Sequence, residues 1–205
     1  MTTAAIDHGH DAGHGHHTSL GIDNRKLAIW AFIGSECLFF ATLISTFLIY
    51  RGQSVSGPTP KDIFEVPLVT AGTAVLLFSS FFVVMALNGA QEGNRKKLLT
   101  WLSLTVLCGC FFAGMQVYEF SHFNHLGLGY STNLFSASFY TLTGFHGAHV
   151  TLGTLWLATL LKDAIKGDLP QGKALNLEIA ALYWHFVDVV WIIIFPVVYL
   201  MSLGN

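Results

Sequence analysis

Apolar residues run through this chain in five long blocks parted by short polar connections, at about Leu27–Tyr50, Pro67–Asn88, Leu98–Phe120, Leu134–Leu161 and Ile179–Leu203. A hydrocarbon core of about 30 Å takes roughly 20 helical residues to cross, so each block is long enough to span one. The pattern predicts an all-α integral membrane protein, a bundle of five transmembrane helices. Proline suits a first helical turn and glycine a helix end, so Pro67 marks the start of the second span, Asn88 with Gly89 its end, and Pro170 with Gly172 the fourth connection. The fourth block exceeds what a span needs and predicts tilt or protrusion. Pro196 predicts a kink in the fifth.

Charge then orients the bundle. Arg25 and Lys26 precede the first span, Arg95, Lys96 and Lys97 fill the second connection, and Lys162, Lys166 and Lys173 lie in or beside the fourth. Only Arg51 and Lys61 fall on the other side, so the positive-inside rule puts the N-terminus in the cytoplasm and the C-terminus outside. Composition agrees with the membrane reading: 53% of residues are hydrophobic, 11% are charged and the mean hydropathy is +0.56, against about 25% charged in soluble domains. A net charge of −2 carries no nucleic-acid signal. Cys37, Cys108 and Cys110 lie inside apolar spans and read as reduced core residues rather than a disulfide framework.

The domain plan is therefore a tail, residues 1–24, followed by a five-helix membrane domain, residues 25–205. The tail holds His8, His10, His14, His16 and His17 among glycine and aspartate, and no cleavable signal peptide is visible in it. Histidines in such a stretch would suit metal trapping or pH sensing, but glycine-rich polar sequence buries too little surface to order itself, so it reads as a disordered, solvated cytoplasmic tail.

Ionisable residues inside the spans carry the chemical interest, because in lipid they cost several kcal/mol unless partnered. YWHFVDVVW, Tyr183 to Trp191, sets His185 and Asp188 on one helical face, flanked by Trp184 and Trp191. TGFHGAHVTLG, Thr143 to Gly153, does the same for His146 and His149. Its small residues, Gly144 with Ala148 and Gly147 with Thr151, let a neighbouring helix approach closely. Glu36 sits in SECLFF, Ser35 to Phe40. At ~1.5 Å per residue, Glu36, His149, His185 and Asp188 fall at similar depth, about 10 to 20 Å from the cytoplasmic surface, and could meet.

Two readings of this set are open. One is a metal centre in the bundle core, which would make the chain a free-standing membrane metalloenzyme built on His146, His149, His185 and Asp188. The other is polar packing, in which these groups bond one another across helices. Glu36 itself has three readings: a neutral packed acid, a member of a proton path, or a contact for lipid head groups. Glu65 and Glu119 fall near the outer surface, where water is within reach. A secondary transporter is disfavoured, since the chain shows no evident inverted repeat.

SECLFF, DIFEVPLV at Asp62 to Val69, YEF at Tyr118 to Phe120, TGFHGAHVTLG and YWHFVDVVW follow one another through almost the whole chain. In these segments the sequence resembles subunit III of the heme-copper terminal oxidases, the cytochrome c and quinol oxidases of aerobic respiration, in their shorter five-helix form. The resemblance implies a chain without heme or copper, in a proton-translocating complex of the bacterial cytoplasmic membrane whose large subunit reduces dioxygen to water. It implies packing on that large subunit, subunit I, with subunit II and small subunits nearby. It also implies bound phospholipid, support of proton uptake, and resistance of the oxidase to inactivation during turnover. By the same resemblance His146, His149 and His185 are not redox-metal ligands, and Glu36 matches an acid close to bound lipid. The chain lacks two N-terminal helices that line the lipid cleft in longer relatives, so a neighbouring subunit closes that cleft or it is absent. The resemblance implies too that the electron donor, quinol or cytochrome c, is received by other subunits.

Overall fold

The computed structural model of the chain describes residues 24–52, 65–167 and 174–201. The histidine-rich tail, Lys61, Pro170, Gly172, Lys173 and the last residues of the fifth block lie outside them. Five long helices make up the described residues: α1 (Asn24–Tyr50), α2 (Val66–Gln91), α3 (Arg95–His125), α4 (Leu134–Lys166) and α5 (Ala174–Phe195), the last running on through one wider π turn, Pro196–Leu200.

Each helix begins or ends beyond its apolar block because polar ends extend it past the oily stretch. Asn94 and Asn133 cap α3 and α4, their side-chain oxygens accepting from Lys97 N at 3.1 Å and Ser136 N at 2.7 Å. Asn88 and Gly89 do not end α2. The Asn88 side chain accepts a hydrogen bond from Lys97 Nζ, and Gly89 lets the start of α3 press against it, since a Cβ there would sit 2.8 Å from Leu98 N. The chain turns instead at Gly93, whose φ of 69° is a left-handed conformation that favours glycine.

Four helices form a closed ring, α2 against α3, α3 against α4, α4 against α5 and α5 back against α2. Helix α1 lies outside it, touching α4 and α5. Only 11% of its apolar stretch is buried, against 56% for α5. One end of the bundle gathers the basic residues: Lys26 pairs with Glu178 at 2.7 Å, and Arg95 donates to the Ile165 carbonyl at 2.5 Å. Neighbouring helices in the ring run antiparallel, as short connections between consecutive long helices require.

Four of the helices are long and apolar enough to cross a membrane: α1, α2, α3 and α5 with its π turn. Helix α4 has the length, 33 residues, but falls short in hydropathy because serine, threonine, histidine and glycine recur along it. Its hydroxyls are satisfied within the chain: Thr143 donates to Phe139 O and Thr154 to Val150 O, at 2.7 and 2.8 Å. The cysteines are free, but Cys37 and Cys110 face outward from the bundle rather than into its core.

Close packing turns on glycine where helices cross. A Cβ on Gly109 of α3 would collide with Thr154 of α4 and lie 2.8 Å from the Trp184 ring of α5. Gly114, on the same helix, has nothing within 4 Å of that position. Gly109→Ala is expected to lower stability by about 1–3 kcal/mol through overpacking, whereas Gly114→Ala is expected to be neutral or to stabilise by up to about 1 kcal/mol through helix propensity. Heat denaturation of the two variants in one detergent checks the contrast.

Candidate polar site between the helices

Helix α5 presents Trp184, Asp188 and Trp191 on one face, spaced four and three residues apart, and all three meet hydroxyls of α2. Trp184 Nε1 donates to Ser79 Oγ and Trp191 Nε1 to Thr73 Oγ1, each at 2.9 Å, while Ser80 Oγ donates to Asp188 Oδ2 at 2.7 Å. Ser79 and Thr73 send their own protons to the Leu76 and Val69 carbonyls, which leaves a lone pair for each indole. A hydroxyl can thus satisfy its helix and bind a neighbour at once. Asp188 is buried at 5% exposure.

The sequence paired Asp188 with His185; the structure does not. Among the described residues no hydrogen bond or ion pair joins them, and the half-buried His185 bonds none of the other three. Three residues of separation put both on neighbouring parts of the helix surface, yet Asp188 turns into the α2 contact.

His146 and His149 likewise part company. His149 faces α1, with Nε2 3.3 Å from Glu36 Oε2, Nδ1 2.7 Å from the Phe145 carbonyl, and its own carbonyl accepting from Tyr183 Oη at 3.2 Å. His146 points into the ring of four helices at 0% exposure. It stacks on Trp191 with centroids 4.7 Å apart and an interplanar angle of 22°, and meets the Phe112 ring edge-on at 5.9 Å. Neither of its ring nitrogens has a hydrogen-bond partner among the described residues. Phe40 of α1 lies edge-on to both imidazoles, at 6.5 Å from His146 and 5.1 Å from His149.

Glu119 corrects a second expectation. It is near the end of α3, but its side chain turns inward and is buried at 5% exposure, accepting from Tyr199 Oη at 3.0 Å. The wider turn at Pro196–Leu200 carries Tyr199 to it. Glu65 does sit at the surface, with Oε1 3.8 Å from His122 Nε2. Of the small-residue pairs, Gly147 is used as expected: Gln116 of α3 lies against it and donates to the Thr143 carbonyl at 2.6 Å. A Cβ added to Gly144 would come no nearer than 3.9 Å to Phe120, so no neighbour presses against it there.

The expected convergence of Glu36, His149, His185 and Asp188 is replaced by two separate contacts, Glu36 with His149 and Asp188 with Ser80, while Glu119 makes a third elsewhere with Tyr199. Among the described residues no three His, Cys, Asp or Glu side chains come together as a metal ion would require. Sequence reasoning did not single out Thr73, Ser79, Ser80, Gln116 or Tyr199. Hydroxyls that bond their own helix look neutral in an apolar span, so only the paired Ser79–Ser80 in the middle of a block gave any signal.

A family model described as Cytochrome c oxidase subunit III matches residues 8–203. The chain belongs to that family. It is 41% identical over 180 residues to cytochrome c oxidase subunit 3 of Bacillus sp. strain PS3, covering 88% of this chain and 87% of the relative. Identity is 40% over 179 residues to quinol oxidase subunit 3 of Bacillus subtilis strain 168, covering 87% and 88%. Cytochrome bo(3) ubiquinol oxidase subunit 3 of Pseudomonas aeruginosa is 37% identical over 209 residues, covering 98% and 99%. Family membership and the four long apolar helices make this a multi-pass membrane protein.

The Asp188–Ser80 bond sets a double-mutant cycle. Asp188→Ala and Ser80→Ala are each expected to cost about 1–3 kcal/mol by stranding a buried group. The double variant should cost less than their sum, measured by heat denaturation. Strictly additive losses would mean that the two side chains do not depend on each other.

Proposed function

We propose that the chain is the accessory, non-redox subunit III of a heme-copper terminal oxidase in a bacterial cytoplasmic membrane, working in a complex with other oxidase subunits. The observation that carries this reading is the match to the subunit III family along residues 8–203, joined to relatives of nearly equal length named as oxidase subunits 3. In this reading all five helices cross the membrane, residues 1–24 form a cytoplasmic tail and residues 25–205 the membrane domain. The clustering of Arg25, Lys26, Arg95, Lys96 and Lys97 with Lys162 and Lys166 toward one end supports placing that end in the cytoplasm.

The role follows from what the polar groups do. Tryptophan, serine, threonine and aspartate join α5 to α2 in a bundle whose outer faces remain apolar, with Leu38, Phe78, Leu107 and Leu152 exposed. Such a surface suits packing on the oxidase's large subunit, with subunit II and small subunits alongside, and phospholipid elsewhere. An open groove lined by Tyr140, Gly144, Phe145 and Ala148 is a place where an acyl chain could lie in this reading. Electron transfer and oxygen reduction then belong to partner chains. This subunit supports proton uptake and the endurance of the complex. The alternative of a self-contained metalloenzyme loses its main support because His146, His149 and Asp188 face three different neighbours.

Capture of the tagged chain from membranes is expected to bring down a heme-containing complex that reduces dioxygen. The chain separated from it is expected to show no heme absorbance and no stoichiometric iron or copper. A complex lacking the chain is expected to start turnover normally and lose activity sooner. Metal held by the separated chain, lost on replacing His149 and His185 by alanine, would overturn the reading.

A further inference from the structure

The polar hydrogens that α2 and α5 with its π turn bring to the inside of the ring are already committed. Trp191 Nε1 goes to Thr73, Ser80 Oγ to Asp188 Oδ2 and Tyr199 Oη to Glu119 Oε2. Each of these groups carries a single hydrogen, so none serves a second atom without leaving the first. Four buried atoms of the ring are left without a hydrogen-bond partner among the described residues: Asp188 Oδ1, both ring nitrogens of His146, and Glu119 Oε1. These residues are 5%, 0% and 5% exposed. They lie in a row. Asp188, Trp191 and Tyr199 follow one another along the buried side of α5 and its π turn, over roughly 16 Å of helix. His146 stacks on Trp191 at 4.7 Å, Trp191 meets Tyr199 at 6.2 Å, and Tyr199 reaches Glu119.

We propose that the ring of α2 to α5 encloses bound water, held on His146 at its centre and on Asp188 Oδ1 and Glu119 Oε1 to either side. Bulk solvent does not reach these atoms, and hydrocarbon cannot satisfy them. The demand itself selects the ligand. An uncharged imidazole has one N–H and one lone pair, so His146 needs an acceptor and a donor at once. A bare cation has no hydrogen to give, and among the described residues no three His, Cys, Asp or Glu side chains come together to hold one. A lipid head group is too large for an interior closed to this degree. Water both accepts and donates, and it offers each carboxylate oxygen the hydrogen it lacks. Folded proteins hold roughly one buried water per 27 residues, so a few inside a ring of four long helices are in proportion. The wet part of the ring has a boundary. Leu102 of α3 and Leu157 of α4, at 0% and 1% exposure, lie toward the basic end, where no such orphaned atom occurs among the described residues, and the interior there is dry.

Only the preparation rests on the subunit III reading: the purified oxidase complex in lipid, equilibrated with water enriched in oxygen-18. Brief X-ray exposure turns bound water into hydroxyl radicals that hydroxylate the nearest side chains, and peptide masses locate the label. Phe112 and Trp191, buried against His146, are expected to take it up, and Leu102 and Leu157 to stay unlabelled. His146→Phe keeps a flat ring and removes both nitrogens, so the label on Phe112 and Trp191 should disappear. A dry core predicts the reverse: no label on either residue in wild type, and a gain of heat tolerance in His146→Phe as a stranded imidazole gives way to a ring that suits its neighbours. Either result overturns the proposal, as does label that persists unchanged in the variant. Should the variant fail to assemble, wild type decides alone. A map that resolves water elsewhere in the complex must show it within hydrogen-bond distance of His146 Nδ1 or Nε2, and bare nitrogens there sink the idea. Subunit content and oxygen reduction of the same samples report separately on whether the chain belongs to the oxidase.

Discussion

A polar atom surrounded by hydrocarbon has no water to fall back on, and the arrangement of this bundle follows from where each such atom finds a partner. The seam between α5 and α2 shows the rule most fully. Two indole N–H groups and one carboxylate on α5 meet three hydroxyls on α2, and two of those hydroxyls also bond their own helix. Each interhelical bond is worth only about 0.6 kcal/mol on average in a membrane, up to about 1.7. Their combined effect is directional: a rotation of α5 by a fraction of a turn would break all three together. The seam fixes rotation as much as it adds stability.

Small residues set the distances over which these bonds can form. Gly109 brings α3, α4 and α5 to one point, and Gly147 admits Gln116 to the α4 backbone. Around this tight ring, aromatic side chains fill the space, with His146 packed as one more flat ring against Trp191 and Phe112. Helix α1 is held differently. It packs on the outside through Phe39 and Phe40 and through two charged contacts, Lys26 with Glu178 and Glu36 with His149, so its attachment is more local.

Much of this was legible in the sequence. Five helices follow from apolar blocks because burial in oil demands length and little else, and the basic residues at one end follow from charge alone. Glu36 with His149 was within reach of depth counting. The hydrogen-bond partner of Asp188 was not, being Ser80 rather than His185, since sharing a helical face says nothing of which neighbour lies opposite. Ser80, Ser79 and Thr73 were hidden because hydroxyls are silent in hydropathy. Glu119 was misjudged because depth along a helix was read as access to water, while the turn after Pro196 that delivers Tyr199 to it leaves only a proline as its trace.

Helix α4 carries a consequence for how the chain is made. Its recurrent threonines, serines and histidines leave it without the long apolar stretch that the other four helices have, and it touches α3, α5 and α1. During synthesis it leaves the ribosome before α5 exists. Partitioning sideways from the translocon therefore favours a route in which α4 lingers there, or departs alongside the finished α2–α3 hairpin, until α5 arrives. A helix whose polar groups are met by its neighbours is expected to settle in lipid together with them rather than one at a time.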